Sequence, residues 1–264
     1  PQLVLAWSDH ANLAWAIMHR QPALVEQTVP AEPLSHFLID QTDAIAATLK
    51  SIESWSIENL SHYRPTPEAL RWTASVEPSV EAFCSAIRIN PLLPYRLYVK
   101  QMPEGNVGLG EPLHWSDLSF LAGGVSQQNA LYFSLFGGEA VSIAEVLASA
   151  SDEPDSGMDI GLFEDNGTEF GQRYGFGIQP FGNPNLEYSS QAPFHMGFYH
   201  LDWLTRRVRP DLLQTYPAWR VALFGELADL AFRTGHSYGG WLFLGWGLHY
   251  IGDLTQPYHV SPLP

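Results

Sequence analysis

The sequence predicts an all-α protein, and three observations carry that expectation. Most of the chain repeats apolar residues at three- and four-residue spacing, the period of a helix with one buried face. The repeats stop at helix punctuation: Asn90-Pro91, Gly235-His236 and Gln256-Pro257. Hydrophobic residues make up 45% of the 264 positions and aromatics 13%, with nine Trp. That is enough to fill a sizeable core in one large domain, or in one domain with an insertion.

Taken in order, Pro1-Gln-Leu-Val-Leu-Ala6 resembles the tail of a secretory signal peptide, with Val4 and Ala6 at the cleavage positions. Cleavage there would leave Trp7 as the mature N-terminus and residues 7–264 as a single domain; an ordinary apolar lead-in is the plain alternative. A helix with Ser8 or Asp9 as its cap follows. A second helical pattern fills 33–60 through Leu34, Phe37, Leu38, Ala44, Ile45, Leu49, Ile52 and Trp55, and Tyr63-Arg-Pro-Thr-Pro67 breaks it. A third helix runs from Pro67 or Ser75 to Ile89. Residues 91–140 are rich in Pro and Gly without a sustained period and read as a loop-rich insertion, a lid or rim at most and an ordinary surface loop by default. Within it, Tyr95 to Lys100 alternates weakly and is a short strand or an extended loop. A short helix over Ser142–Ser149 leads into an acidic turn, and a Gly-rich aromatic stretch continues to Ser190. Helices over His195–Arg207, Asp211–Thr234 and Ser237–Leu254 complete the chain.

The formal net charge of −15 argues against general affinity for nucleic-acid backbones, which rewards clustered Lys and Arg, so no stable nucleic-acid partner is expected. Bound metal would reverse the sign locally, so a nuclease is not excluded. Cys84 is the sole cysteine, which excludes an internal disulfide and a Cys-rich zinc knuckle. Any zinc must be held by His, Asp and Glu. No run is long and apolar enough to span a bilayer, so an integral membrane protein is not expected.

The most informative stretch is Trp246-Gly-Leu-His249-Tyr-Ile-Gly-Asp253-Leu-Thr-Gln-Pro257-Tyr-His259. On a helix, His249 and Asp253 leave the same face one turn apart, where an imidazole and a carboxylate can share a zinc ion. Pro257 forces a turn that can return His259 to the same place. A core helix with a satisfied His is the bland reading. The spacing His-x-x-Gly-Asp-x-x-Gln-Pro-x-His resembles the zinc signature of the bacterial zinc-dependent phospholipases C and the S1/P1 nucleases, matched at His249, Gly252, Asp253, Gln256, Pro257 and His259.

That resemblance implies a multi-helix core with up to three zinc ions. The family's N-terminal Trp and a nearby His fit Trp7 and His10. Its upstream Asp, a zinc ligand and the suspected base, fits Asp152, with Asp155 and Asp159 as rivals. Its intervening His fits His195, with His200 the alternate. One zinc would take Asp152, His195, His249 and Asp253, a second Trp7, His10 and the shared Asp253, and the third His259. The family's last His and acidic residue find no match before Pro264, so a chain truncated at its C-terminus is expected and the third site is incomplete. Phe194, Phe198 and Tyr199 are the aromatic faces for a choline headgroup. The resemblance implies a secreted or periplasmic bacterial phospholipase C that meets phosphatidylcholine at a membrane or micelle surface. An S1/P1-type single-strand nuclease or 3'-nucleotidase is the alternative, and a non-enzymatic, zinc-stabilised secreted binding protein is the third reading.

Overall fold

The computed structural model describes residues 10–103, 105, 110–121 and 129–262. In chain order its helices are α1 (His10–Met18), α2 (Pro22–Val25), α3 (Leu34–Asp40), α4 (Thr42–Asn59), α5 (Val80–Ala86), α6 (Ile143–Asp152), α7 (Glu169–Arg173), α8 (Glu187–Ser190), α9 (Ala192–His195), α10 (Trp203–Val208), α11 (Pro217–Arg233), α12 (Ser237–Asp253) and α13 (Pro257–Val260). The short strands are β1 (Thr28–Pro30), β2 (Tyr98–Lys100), β3 (Pro112–Leu113), β4 (Tyr132–Ser134) and β5 (Ala140–Ser142). The chain is therefore mostly helical. The proposed leader, Trp7 and the caps at Ser8 or Asp9 lie outside the described residues.

Helix α12 is the axis. It is apolar on nearly every face, the pattern of a helix enclosed by others, and α11, α6 and α1 pack around it. On its α11 side Trp246 meets Phe224 and Phe243, in a core that includes Trp219 and extends to Phe37, Ile45 and Phe83 from α3, α4 and α5. Each such ring contributes about 1.5–3 kcal/mol by leaving water. Helix α6 buries all its residues but the last, and Ser142 caps it by accepting from the Ala144 amide.

The strands form two small antiparallel sheets. β1 pairs with β5 in the register Val29↔Val141. β2, β4 and β3 form the other, with Val99↔Phe133 and Leu113↔Tyr132. The 91–140 segment thus carries a three-stranded sheet as well as loops, and Tyr98–Lys100 is a strand.

Several helices are shorter than the apolar spacing predicts. The 33–60 pattern divides at Gln41, whose backbone leaves the helical region, and the Thr42 hydroxyl donates back to the Leu38 carbonyl. The third helix narrows to Val80–Ala86, because Pro78 precedes a Ser79 cap. The His195–Arg207 pattern breaks at Met196, which is extended, and restarts only where Asp202 caps α10. Among the described residues no helix is long and apolar enough to cross a membrane.

Candidate metal centre

Gly245, His249 and Gly252 form one stripe along α12, and the two glycines decide what can approach it. A Cβ at Gly245 would stand 2.5 Å from Ala150 Cβ and 2.9 Å from the Leu147 carbonyl of α6. A Cβ at Gly252 would stand 2.8 Å from His10 Nδ1. The first glycine admits the end of α6, and the second admits the first residue of α1. Between them, His249 Nδ1 lies 2.8 Å from the Ser151 carbonyl of α6. A carbonyl only accepts, so Nδ1 carries the proton and the neutral ring presents a lone pair at Nε2.

Asp253, one turn further on, is the hub. Its Oδ2 lies 2.9 Å from His195 Nδ1 and 3.2 Å from His249 Nε2, and those two nitrogens are 3.0 Å apart. Its Oδ1 lies 2.9 Å from His259 Nδ1 and 3.3 Å from His10 Nε2. Each oxygen of one buried carboxylate therefore faces its own pair of histidines. Asp155 closes the group: Oδ1 stands 3.8 Å from His249 Nε2 and 3.9 Å from His195 Nδ1, and Oδ2 stands 3.9 Å from His10 Nε2. Ligand atoms around a tetrahedral metal at 2.0–2.1 Å stand about 3.3 Å apart, close to these spacings. The sets His195, His249, Asp253 and His10, Asp155, His249 could each hold a metal ion.

The protonation pattern favours a cation. His195 Nε2 faces Asp159 Oδ2 at 3.3 Å. Asp159 is itself bound by Arg220 Nη2 at 2.5 Å and by the Tyr250 hydroxyl at 2.5 Å. Burial pushes its pKa up, but Arg220 and His195 outweigh this and hold it low, as a carboxylate. An N–H at Nε2 suits that anionic neighbour and turns the Nδ1 lone pair toward Asp253. Without a metal, protons must serve instead. Burial lowers the His195 pKa, yet Asp253 and Asp159 push it up to about 10. His10 rises in the same way, burial being overcome by Asp253 and Asp155. Burial likewise raises the pKa of Asp253, but His249 and His195 bring it well below the usual carboxylate range. Asp155 moves up, burial exceeding the pull of His249, His195 and His10. Its Oδ2 is buried without a hydrogen-bond partner among the described residues. Converging lone pairs and two carboxylates fit a bound metal.

Of the expected ligands, the structure brings His10, His195, His249, Asp253 and His259 together. Asp152 stands beside the group. Its oxygens accept from the Ala11 amide at 2.7 Å and from Lys100 Nζ at 2.5 Å. Asp155, the rival position, reaches the histidines, because α6 ends in a 3-10 turn over Glu153–Ser156 that swings the chain across the end of α12. His200 is exposed and outside the group. Phe194 is fully buried and stacks on Tyr216 at 4.9 Å, so it presents no face to a headgroup. Phe198 is buried beside Phe181, and Tyr199 alone of the three is open to solvent. Asp159, the other rival, lies behind His195 with Arg220 and Tyr250, and that supporting role, with both of its partners, had no part in the sequence expectations. Its signal was an Arg within the apolar face of α11, which demands a buried acid. No family model, curated protein or solved structure matches the chain.

Proposed function

We propose that the chain is a zinc-dependent phosphodiester hydrolase that cleaves a phosphatidylcholine-type phospholipid to diacylglycerol and a phosphorylated headgroup. The observation that carries this reading is the Asp253 carboxylate set between two histidine pairs, with Asp155 spanning both. Imidazole and carboxylate donors suit zinc, and a bridging carboxylate suits two ions. Zinc held there would supply an activated water and a clamp for phosphate oxygens.

The chain's own residues do the rest. Ser151 fixes the tautomer of His249, and Asp159 orients His195. Asp253 presents one oxygen to each histidine pair and would hold the metal with them. Asp155 is the group suited to take a proton, at Oδ2: it is acidic, buried, raised in pKa and not committed to another donor. Asp152 keeps Lys100 and the start of α1 in place, and a direct catalytic role would require it to leave both partners.

The alternative is a single-strand nuclease or 3'-nucleotidase, favoured by the exposed rings of Tyr188, Tyr199 and Tyr258 on which bases could stack. Assays on dispersed phosphatidylcholine and on single-stranded DNA, each with and without a zinc chelator, separate the readings. Chelator-sensitive release of phosphocholine is the expected result. Release of nucleotides alone would move the chain to the nuclease reading. Bound zinc with no turnover of either would leave a metal-stabilised binding protein.

A further inference from the structure

Helix α10 buries none of its six residues, although three of them are apolar. Trp203 is 75% exposed, Leu204 54% and Val208 68%. At about 100° per residue, Trp203, Arg207, Leu204 and Val208 fall within one sector of about 140°, and Arg206 points the other way. The hydrogen bonds agree: Arg206 Nε donates to the Leu201 carbonyl at 2.9 Å and Nη2 to the Tyr199 carbonyl at 2.7 Å. Asp202 caps the first turn by accepting from the Leu204 and Thr205 amides. So short a helix is not stable alone; the cap and the Arg206 clasp hold it in shape with its apolar sector outward.

The charge around α10 departs from that of the chain. Between Tyr188 and Gly225 the only acids are Asp202 and Asp211, against Arg206, Arg207, Arg209 and Arg220, in a protein of net charge −15. Asp202 is committed to the cap, Asp211 to Arg209, and Arg220 to Asp159. Arg207 has no ion pair among the described residues and stands between the apolar side chains. The segment that carries α10 leaves the metal centre directly, since it starts after His195 and Gly197 donates to the His259 carbonyl at 2.8 Å.

We propose that α10 is a membrane-docking element. Trp203, Leu204 and Val208 enter the boundary between headgroups and acyl chains of a phospholipid surface, and Arg207 engages anionic headgroups. Tryptophan, small aliphatic residues and a long-stemmed arginine on one short exposed face match the chemistry of that boundary. The unbalanced positive charge matches the sign of an anionic leaflet. The inference rests on the lipid reading of the metal centre for its purpose, but binding and hydrolysis are measured apart.

The test uses the zinc-loaded chain in flotation with vesicles of phosphatidylcholine alone and of phosphatidylcholine with phosphatidylglycerol. In parallel, hydrolysis is read on a short-chain phosphatidylcholine kept below its micelle concentration. Binding to the anionic vesicles is expected, falling about tenfold or more in W203A/L204S, whose hydrolysis of the monomeric substrate stays unchanged. R207E should lose about tenfold of the preference for anionic over neutral vesicles. Hydrolysis of the monomer without vesicle binding, or equal binding by the double variant, overturns the docking role and leaves the lipase reading intact. Vesicle binding through Trp203 without phospholipid hydrolysis keeps the docking role and overturns the reading of the centre. A dimer in sedimentation that W203A/L204S converts to monomer assigns the face to a second copy of the chain and overturns the proposal.

Discussion

Two buried carboxylates stand one ring apart and are treated in opposite ways. Asp159 has its own cation: Arg220 and Tyr250 fill its oxygens, and Arg220 also donates through Nη1 and Nη2 to the Ile87 and Arg88 carbonyls. Asp253 has no arginine or lysine partner among the described residues. Four imidazoles face it, and each imidazole can present a lone pair as readily as a proton. The first carboxylate is closed by the chain itself and reads as structure. The second is closed only by protons or by a metal and reads as a site. His195 belongs to both, so the structural pair orients the functional one.

The comparison can be broken at either end. The largest effect is expected from Asp253→Asn, which should lower metal affinity by at least about a hundredfold, more than the loss of an outer-shell group, as read by metal content after dialysis. Full metal content in that variant would refute the hub. Arg220→Met should cost about 3–5 kcal/mol of stability by leaving Asp159 buried and uncompensated, measured by denaturant unfolding. Gly252→Ala should cost about 1–3 kcal/mol and displace His10, so that metal content falls on the His10 side while the set at His195 and His249 persists. A further effect is expected with pH. The raised His195 stabilises the metal-free fold fully below its ordinary 6.5, and this is lost as pH rises through about 10. Stability of the metal-free chain should therefore fall across that window by about 1.4 kcal/mol per pH unit at the steepest, and the metal-loaded chain should not follow it. The depressed Asp253 acts in the other direction, its contribution holding above the usual carboxylate range and vanishing only in strong acid.

A contrast in turnover separates two neighbours. Asp155→Asn should reduce turnover by about 100-fold or more if Asp155 takes the proton, whereas Asp152→Asn, which keeps an acceptor for Ala11, should change it little. The reverse order would return the catalytic role to Asp152.

What was legible in the sequence was what depends on local spacing. His249 and Asp253 share a helical face because they are four residues apart, and Pro257 turns the chain so that His259 returns to Asp253. The overall helical character followed from the same periodicity. What depends on long-range geometry was less legible. Asp152 and Asp155 differ only in how a 3-10 turn after α6 rotates them, and Pro154 in the sequence does not give that angle. Phe194 looked available because it sits beside a ligand, yet α9 is so short that long-range packing on Tyr216, Phe163 and Phe176 decides where the ring goes. Gly245 went unread, and Gly252 was read only as a position of the zinc signature, not for the space it leaves. In the sequence both are weak helix formers, and in the fold they are where α6 and α1 come close to the axis.

The bond from Asp152 to the Ala11 amide has a consequence for how the molecule opens. A helix usually finds the acceptor for its first turn in an adjacent residue, but here one comes from 141 residues away. The first turn of α1 cannot be fully protected from solvent exchange until the far end of α6 has arrived. The Ala11 amide hydrogen is thus a built-in reporter. Its exchange rate should track separation of α1 from α6, and it should lose protection together with the amides that hold the end of α6.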